Sequence, residues 1–172
     1  MKNAWGEIQF YGPKLSTYEE GVLMAILALL DTTEQHNGTG AYTYKGPFYP
    51  LLRLLKGSKP NKSEYKRVYR ALKPLSVSGF NLVLFRDNKV YTERLSNILT
   101  YAEWNNETRE LTITLNPYFH AIYVNGNFTL IDIEQRMRLK SPVAKALHRF
   151  ILSHRDNVWQ GHFLTLAASL NL

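Results

Sequence analysis

Seven cations fall between positions 56 and 73, with a single acid among them. Lys56, Lys59, Lys62, Lys66, Arg67, Arg70 and Lys73 are opposed by Glu64 alone. The 172-residue chain has 21 Lys and Arg against 14 Asp and Glu, a net charge of +7. Nearly all of that excess therefore lies in one segment. Concentrated positive charge is a footprint for a polyanion, whereas the same charge spread evenly says little. On a helix at about 100° per residue, Lys62, Lys73, Lys66 and Arg70 fall within an arc of about 80°, with Arg67 beyond its border. Tyr65, Val68, Tyr69, Leu72 and Leu75 take the opposite side. Such a helix can pack on a core while holding several cations in a row against duplex DNA, which carries one charge per ~1.7 Å. Arg67 and Arg70 can also pair with guanine edges through their bidentate fork. The competing reading is a solvated charged face, and the near absence of acids counts against it.

Two further basic sets stand apart. Arg86, Lys89 and Arg94 flank an Asp87-Asn88 turn, where they can reach a backbone or minor groove. An ordinary turn with scattered charges explains them equally well. Arg136, Arg138, Lys140, Lys145, Arg149 and Arg155 form the other set. Lys145 and Arg149 are four apart and share one face of a helix, either as a second phosphate contact or, on balance, as the outer face of a linking helix. The cations expected at DNA are Lys59, Lys62, Lys66, Arg67, Arg70, Lys73, Arg86, Lys89, Lys145 and Arg149.

Catalytic motifs are missing. The stretch Gly57-Ser58-Lys59-Pro60-Asn61-Lys62-Ser63 lacks the second glycine of a phosphate loop, and Pro60 removes a backbone donor that the cradle needs. His36, His120, His148, His154 and His162 include no i, i+4 pair and no close His-x-His. No metal site is expected, nor nicking chemistry built on a histidine cluster and a tyrosine. Ser141, His148 and Asp156 read as a cap, a surface residue and a loop residue rather than a triad. The expectation is a protein without enzymatic activity and without a cofactor.

The elements that position these residues can be read along the chain. A short strand at 8–11 stops at Gly12-Pro13. Ser16 with Glu19 three residues on is a capping box, ahead of a helix to about Thr33. A turn at 37–40 and a strand at 41–44 follow, and Pro47 opens a short helix at 48–55. The basic helix runs over 63–75, with Pro74 close to its end. A β-rich run at 80–85 turns at Asp87-Asn88 and returns as one stretch over 90–101, making the candidate wing. Asn105-Asn106 marks an additional hairpin, where Leu111, Ile113 and Leu115 alternate with threonines. Asn116-Pro117 starts a short helix, 128–131 is a brief strand, and 135–140 is a basic helical turn. Ser141-Pro142 opens an amphipathic helix to His154, and a last helix covers 163–170. This order is that of an α+β winged helix, a helix-turn-helix with a β-hairpin wing and an extra antiparallel hairpin, followed by a long linking helix.

Composition sets the outer bounds. Hydrophobic residues make up 45% of the chain, enough for a packed core and too many for a disordered one. The longest apolar run, 22–30, is short of the roughly 20 residues a bilayer needs. No cysteine is present and no signal peptide is visible, so a soluble cytoplasmic protein is expected.

The stretch 128–155 resembles the segment joining the two winged-helix domains of plasmid replication initiators of the TrfA and RepC kind. The matching positions are Asp132 with Glu134-Gln135-Arg136, Lys140-Ser141-Pro142, Ala144, Leu147, His148 and Ser153-His154. Residues 8–17 are similar to the entry of their first helix, and Leu99-Thr100-Tyr101 with 111–117 to their central hairpin. The resemblance implies a first winged-helix domain over 1–139, then a linking helix and the start of a truncated second winged-helix domain over 140–172. It further implies binding to double-stranded origin repeats (iterons), self-association, recruitment of the host initiator and replicative helicase, a part in plasmid copy control, and no nuclease or ATPase site. The resemblance places the family's main base-reading helix in the second domain, of which this chain matches only the early helices. A winged-helix transcriptional regulator, or a dimerisation module without DNA affinity of its own, remains open.

Overall fold

Ser16 starts the first helix as its spacing to Glu19 predicts. Its hydroxyl accepts from the Tyr18 N–H at 3.1 Å, and the Glu19 carboxylate accepts from the Ser16 N–H at 2.8 Å. The helix, α1 (Thr17–Thr33), buries Val22, Ala25, Ile26, Leu27, Leu29 and Leu30. Those positions cover more than one side, so α1 is packed from several directions and forms the centre of the protein. The computed structural model describes residues 2–3, 6–33, 36–37, 41–56, 61–87, 89–125, 132–153 and 159–170. Lys59, Asn88, Arg155, the strand expected at 128–131 and most of the 37–40 turn lie outside them, and Lys62 is described by its backbone alone.

Two four-stranded antiparallel sheets flank the helices. The first has β1 (Lys2–Asn3) beside β2 (Gly6–Tyr11), then β5 (Gly79–Arg86), then β6 (Lys89–Asn97). Ile8 stands opposite Leu82, and Arg86 opposite Lys89, with an irregularity between Leu84 and Phe85. The Tyr11 ring lies across Gly79, where any side chain would collide with it, and its hydroxyl donates to the Ser96 carbonyl at 3.3 Å. The second sheet has β3 (His36–Asn37), β4 (Ala41–Pro47), β8 (Glu110–Leu115) and β7 (Leu99–Asn105), in that order. Ile113 is flanked by Tyr44 on β4 and Ala102 on β7. Leu111, Ile113 and Leu115 are fully buried while Thr112 and Thr114 are not, the alternation of a sheet with one face on the core.

This topology corrects the expected roles of the hairpins. The sheet continuous with α1, α2 (Tyr49–Lys56) and α3 (Lys62–Val77) is β4-β8-β7. The wing of the three-helix unit is therefore β7–β8, and β5–β6 is the additional hairpin, added to N-terminal strand β2. The run over 90–101 is also two strands, not one. Ile98 and Leu99 are buried at the break, where Ile98 donates its N–H to the Ser78 carbonyl and its own carbonyl accepts from Asn116, both at 3.0 Å. The buried Asn116 side chain holds the same corner. It donates to Ser96 Oγ at 2.5 Å and accepts from the Tyr118 and Phe119 N–H groups, capping α4 (Pro117–Asn125).

Three helices complete the described chain: α5 (Ile133–Arg138), α6 (Pro142–Ser153) and α7 (Phe163–Ser169). Asp132 caps α5 by accepting from the Gln135 N–H at 3.0 Å. Arg136, in the expected basic helical turn, is wholly buried. Its Nη2 lies 2.9 Å from Glu20 Oε2 on α1, and its Nη1 donates to the Lys145 carbonyl on α6 at 2.8 Å. Glu20 also takes Arg149 of α6 at 2.8 Å. One carboxylate thus ties α5 and α6 to the central helix. No described helix is long and apolar enough to cross a membrane.

Candidate nucleic-acid interface

Helix α3 begins one residue earlier than its cation spacing suggests, because Asn61 caps it. The Asn61 side chain accepts from the Ser63 and Glu64 N–H groups at 3.1 and 3.3 Å, and Glu64 accepts from the Asn61 N–H at 2.7 Å. This is a capping box with Asn in place of Ser or Thr. Glu64 also binds Lys56 at 2.6 Å. That bond and the Asn61 N–H hold its carboxyl below the ordinary carboxylate range. The single acid of the basic segment is therefore a structural residue, and it occupies one of the seven cations.

Val68, Ala71, Leu72 and Leu75 are buried, and Tyr65 is half-buried in a ring cluster with Phe48 and Trp104. Burial of that side fixes the rotation of the helix, so Lys66, Arg70 and Lys73 stand exposed together. Tyr69 departs from the expected packing. It is 46% exposed at the border of the cationic arc, because the buried face is centred on Val68, Leu72 and Leu75 and extends toward Ala71 instead. Arg67 lies on the other shoulder, its guanidinium 4.0 Å above the Tyr18 ring. Between the start of α1 and this side of α3 runs a cleft of about 430 Å³, lined by Ser16, Tyr18, Glu19, Lys66, Arg67 and Arg70 among others. Burial pushes the Glu19 carboxyl up, but the bonds from Ser16 outweigh it and hold the group below its ordinary value. This acid is already committed to the helix cap.

The hairpins divide the remaining charge unevenly. Arg86 and Lys89 are exposed and paired at the end of β5–β6, with the Arg86 guanidinium 4.9 Å from the Tyr91 ring. Arg94 lies 4.8 Å over Tyr118. The β7–β8 wing is mostly acidic, with Glu103, Glu107 and Glu110 against Arg109. Asn105 closes its turn by accepting from the Glu107 and Thr108 N–H groups. Lys145 and Arg149 do not form an outer face of α6. Arg149 is bound to Glu20, and Lys145 is partly buried on the side toward α1 and α5. The structure thus groups Lys66, Arg70 and Lys73, sets Arg67 beside them, and places Arg86 with Lys89 elsewhere.

A family comparison settles the lineage. The family described as "Initiator Replication protein, WH1" matches residues 3–152. The chain belongs to this initiator family. Its fold is similar to two crystal structures of domains 2 and 3 of RctB. One matches with a TM-score of 0.61 at 12% identity, over 98% of this chain and 72% of that one. The other matches with a TM-score of 0.58 at 11% identity, over 89% and 61%. No curated protein matches the sequence significantly. At such identities the RctB likeness concerns the fold.

Several residues of this initiator domain gave no usable signal in sequence. The Glu20–Arg136 pair joins positions 116 apart, and nothing at either end marks it. Tyr18 as a seat for Arg67 is also long-range, across 49 positions. Asn61 carried a signal, the Asn-x-x-Glu spacing, which is a helix start as readable as Ser16-x-x-Glu19. Among the described residues no group of three or more His, Asp or Glu side chains could hold a metal ion.

Proposed function

We propose that this WH1 domain is a DNA-binding module of a replication initiator, and that it meets duplex DNA with the exposed face of α3. The supporting observation is the rotation of that helix. Burial of Val68, Leu72 and Leu75 leaves Lys66, Arg70 and Lys73 in one row, and the Glu19 carboxylate that lines the adjoining cleft is already bound to Ser16. Lys62 belongs to the same arc by position, and Lys59 precedes it in sequence. Arg67 supplies a further contact on the shoulder, and Arg86 with Lys89 supply an outlying one. In this reading the target is a plasmid origin with repeated sites, and the chain acts in the cytoplasm without catalysis of its own. Copies of the initiator associate with each other and with the host initiator and helicase. Arg149 is bound to Glu20, and Lys145 lies on the side of α6 toward α1 and α5, so in this reading neither belongs to the DNA face.

The test is a titration of origin duplex at two salt concentrations. Each phosphate neutralised contributes about −0.9 to the slope of log K against log salt. Lys66→Ala, Arg70→Ala and Lys73→Ala should each shrink the slope by about 1. An affinity that does not respond to salt would defeat the proposal and favour an interaction module. Protection of the protein's own promoter in place of an origin would favour a transcriptional regulator.

A further inference from the structure

Beneath the proposed DNA face lies a second cationic space. A cavity of about 240 Å³ opens among α1, α2, α3, α5 and α6, and its polar lining is Thr17, Tyr18, Lys56, Glu64, Arg67 and Lys145. Three cations meet there with one carboxylate, and that carboxylate is bound to Lys56 at 2.6 Å. Arg67 rests on the Tyr18 ring, so these two stacked side chains line both this cavity and the outer cleft that holds Lys66 and Arg70. Lys145 makes no ion pair or hydrogen bond through its ammonium among the described residues. Arg136, wholly buried nearby, adds a further positive charge.

From this geometry we infer that the cavity is a binding site for a small phosphate-bearing anion, with Lys145 and Arg67 as its principal cationic ligands and the Thr17 hydroxyl as a neutral donor. The size favours orthophosphate or pyrophosphate over a nucleotide, since pockets for drug-sized ligands run from about 300 to 1,000 Å³. The electrostatics support the same ligand. Burial depresses the Lys145 ammonium, and the Arg136 and Arg67 charges depress it further against a weaker pull from Glu20. A desolvated ammonium crowded by like charges gains more from an anion than one already paired. The site shares Arg67 with the proposed DNA face but not Lys66, Arg70 or Lys73, so its failure would leave the α3 reading intact.

The test uses the full chain and inorganic phosphate, with sodium chloride at matched ionic strength as the control. The expected result is a saturable rise in Tm with phosphate, accompanied by saturable shifts of the Thr17 and Gly21 amide resonances at the cavity wall. The response should persist in the Lys66→Ala/Arg70→Ala double variant, which strips the outer cleft, and vanish in Lys145→Met. Because Lys145→Met removes a cation that the fold desolvates, it should fold at least as well as the parent. Should it fail to fold, the amide shifts of the unmodified protein decide alone. The inference is overturned if the response follows ionic strength, if it survives Lys145→Met, or if it disappears with Lys66 and Arg70. It is overturned equally if Lys145→Met removes the phosphate response and weakens duplex binding together, because the occupant would then be a phosphate of the DNA backbone.

Discussion

Replacing Glu20 by glutamine removes the only carboxylate among the described residues that meets the Arg136 guanidinium, while keeping the shape of the side chain. Arg136 has no exposed surface, and its Nη2 sits 2.9 Å from Glu20 Oε2. Charge attraction to Glu20 is the larger part of what favours the Arg136 guanidinium in this buried place, with the hydrogen bond between them the smaller. Two unit charges about 4 Å apart attract by about 4 kcal/mol at an effective dielectric of about 20. Removing one partner of a buried pair typically costs about 3–5 kcal/mol, because the other charge is stranded. The Arg149 contact is different. That side chain is 41% exposed, and a pair of this kind contributes about 0–1 kcal/mol. Glu20→Gln should therefore destabilise by about 3–5 kcal/mol, and Arg149→Ala by about 1 kcal/mol or less. Arg136→Met removes the charge along with its need for a partner and loses one hydrogen bond to Lys145, so it should cost about 1 kcal/mol or be neutral. Urea unfolding of the three variants with an unchanged m-value measures the differences. The reasoning fails if Arg136→Met is as damaging as Glu20→Gln, since attraction within the pair, and not the penalty of a stranded charge, would then dominate.

Leu72→Ala should destabilise by about 2–5 kcal/mol, whereas Arg70→Ala and Tyr69→Ala should stay within about 0.5–1 kcal/mol; calorimetry separates them, and a large loss for Arg70→Ala would mean that α3 is rotated differently. Asn61→Ala should lower stability by about 1 kcal/mol through loss of the α3 cap, readable as a shift in the urea midpoint. The acid limb of stability has a definite sign. Glu19 and Glu64 have carboxyls lowered in the folded state, so their contribution is present above the unfolded glutamate value of about 4.3 and is lost as pH falls through the lower folded values. A pH series of unfolding curves should show Glu64→Gln with a shallower acid limb than the parent.

Much of this protein could be read from residues close together in the chain. Ser16 with Glu19, the apolar spacing of α1, Asn116-Pro117 and the threonine alternation of β8 each locate an element within a residue or two. Each depends on contacts three or four positions apart, or on a period of two. The cationic arc of α3 was legible for the same reason. What the sequence left open concerns partners far apart along the chain. Pairing Tyr11 with Gly79 sends β5–β6 to the N-terminal strand and leaves β7–β8 as the wing, yet both hairpins have equally good turn residues. Tyr69, expected in the core, is exposed while Ala71 is buried, because a helical wheel gives angles but not the width of the surface that α1 and the sheet present. Arg136, Lys145 and Arg149 looked alike as basic residues of a linking segment. Only the approach of α1 distinguishes them, by bringing Glu20 to two of them and leaving the third without an ion pair among the described residues. Local chemistry determined the elements and the charge they carry, and tertiary packing decided which charges face solvent, because burial depends on residues that the chain brings together only when it folds.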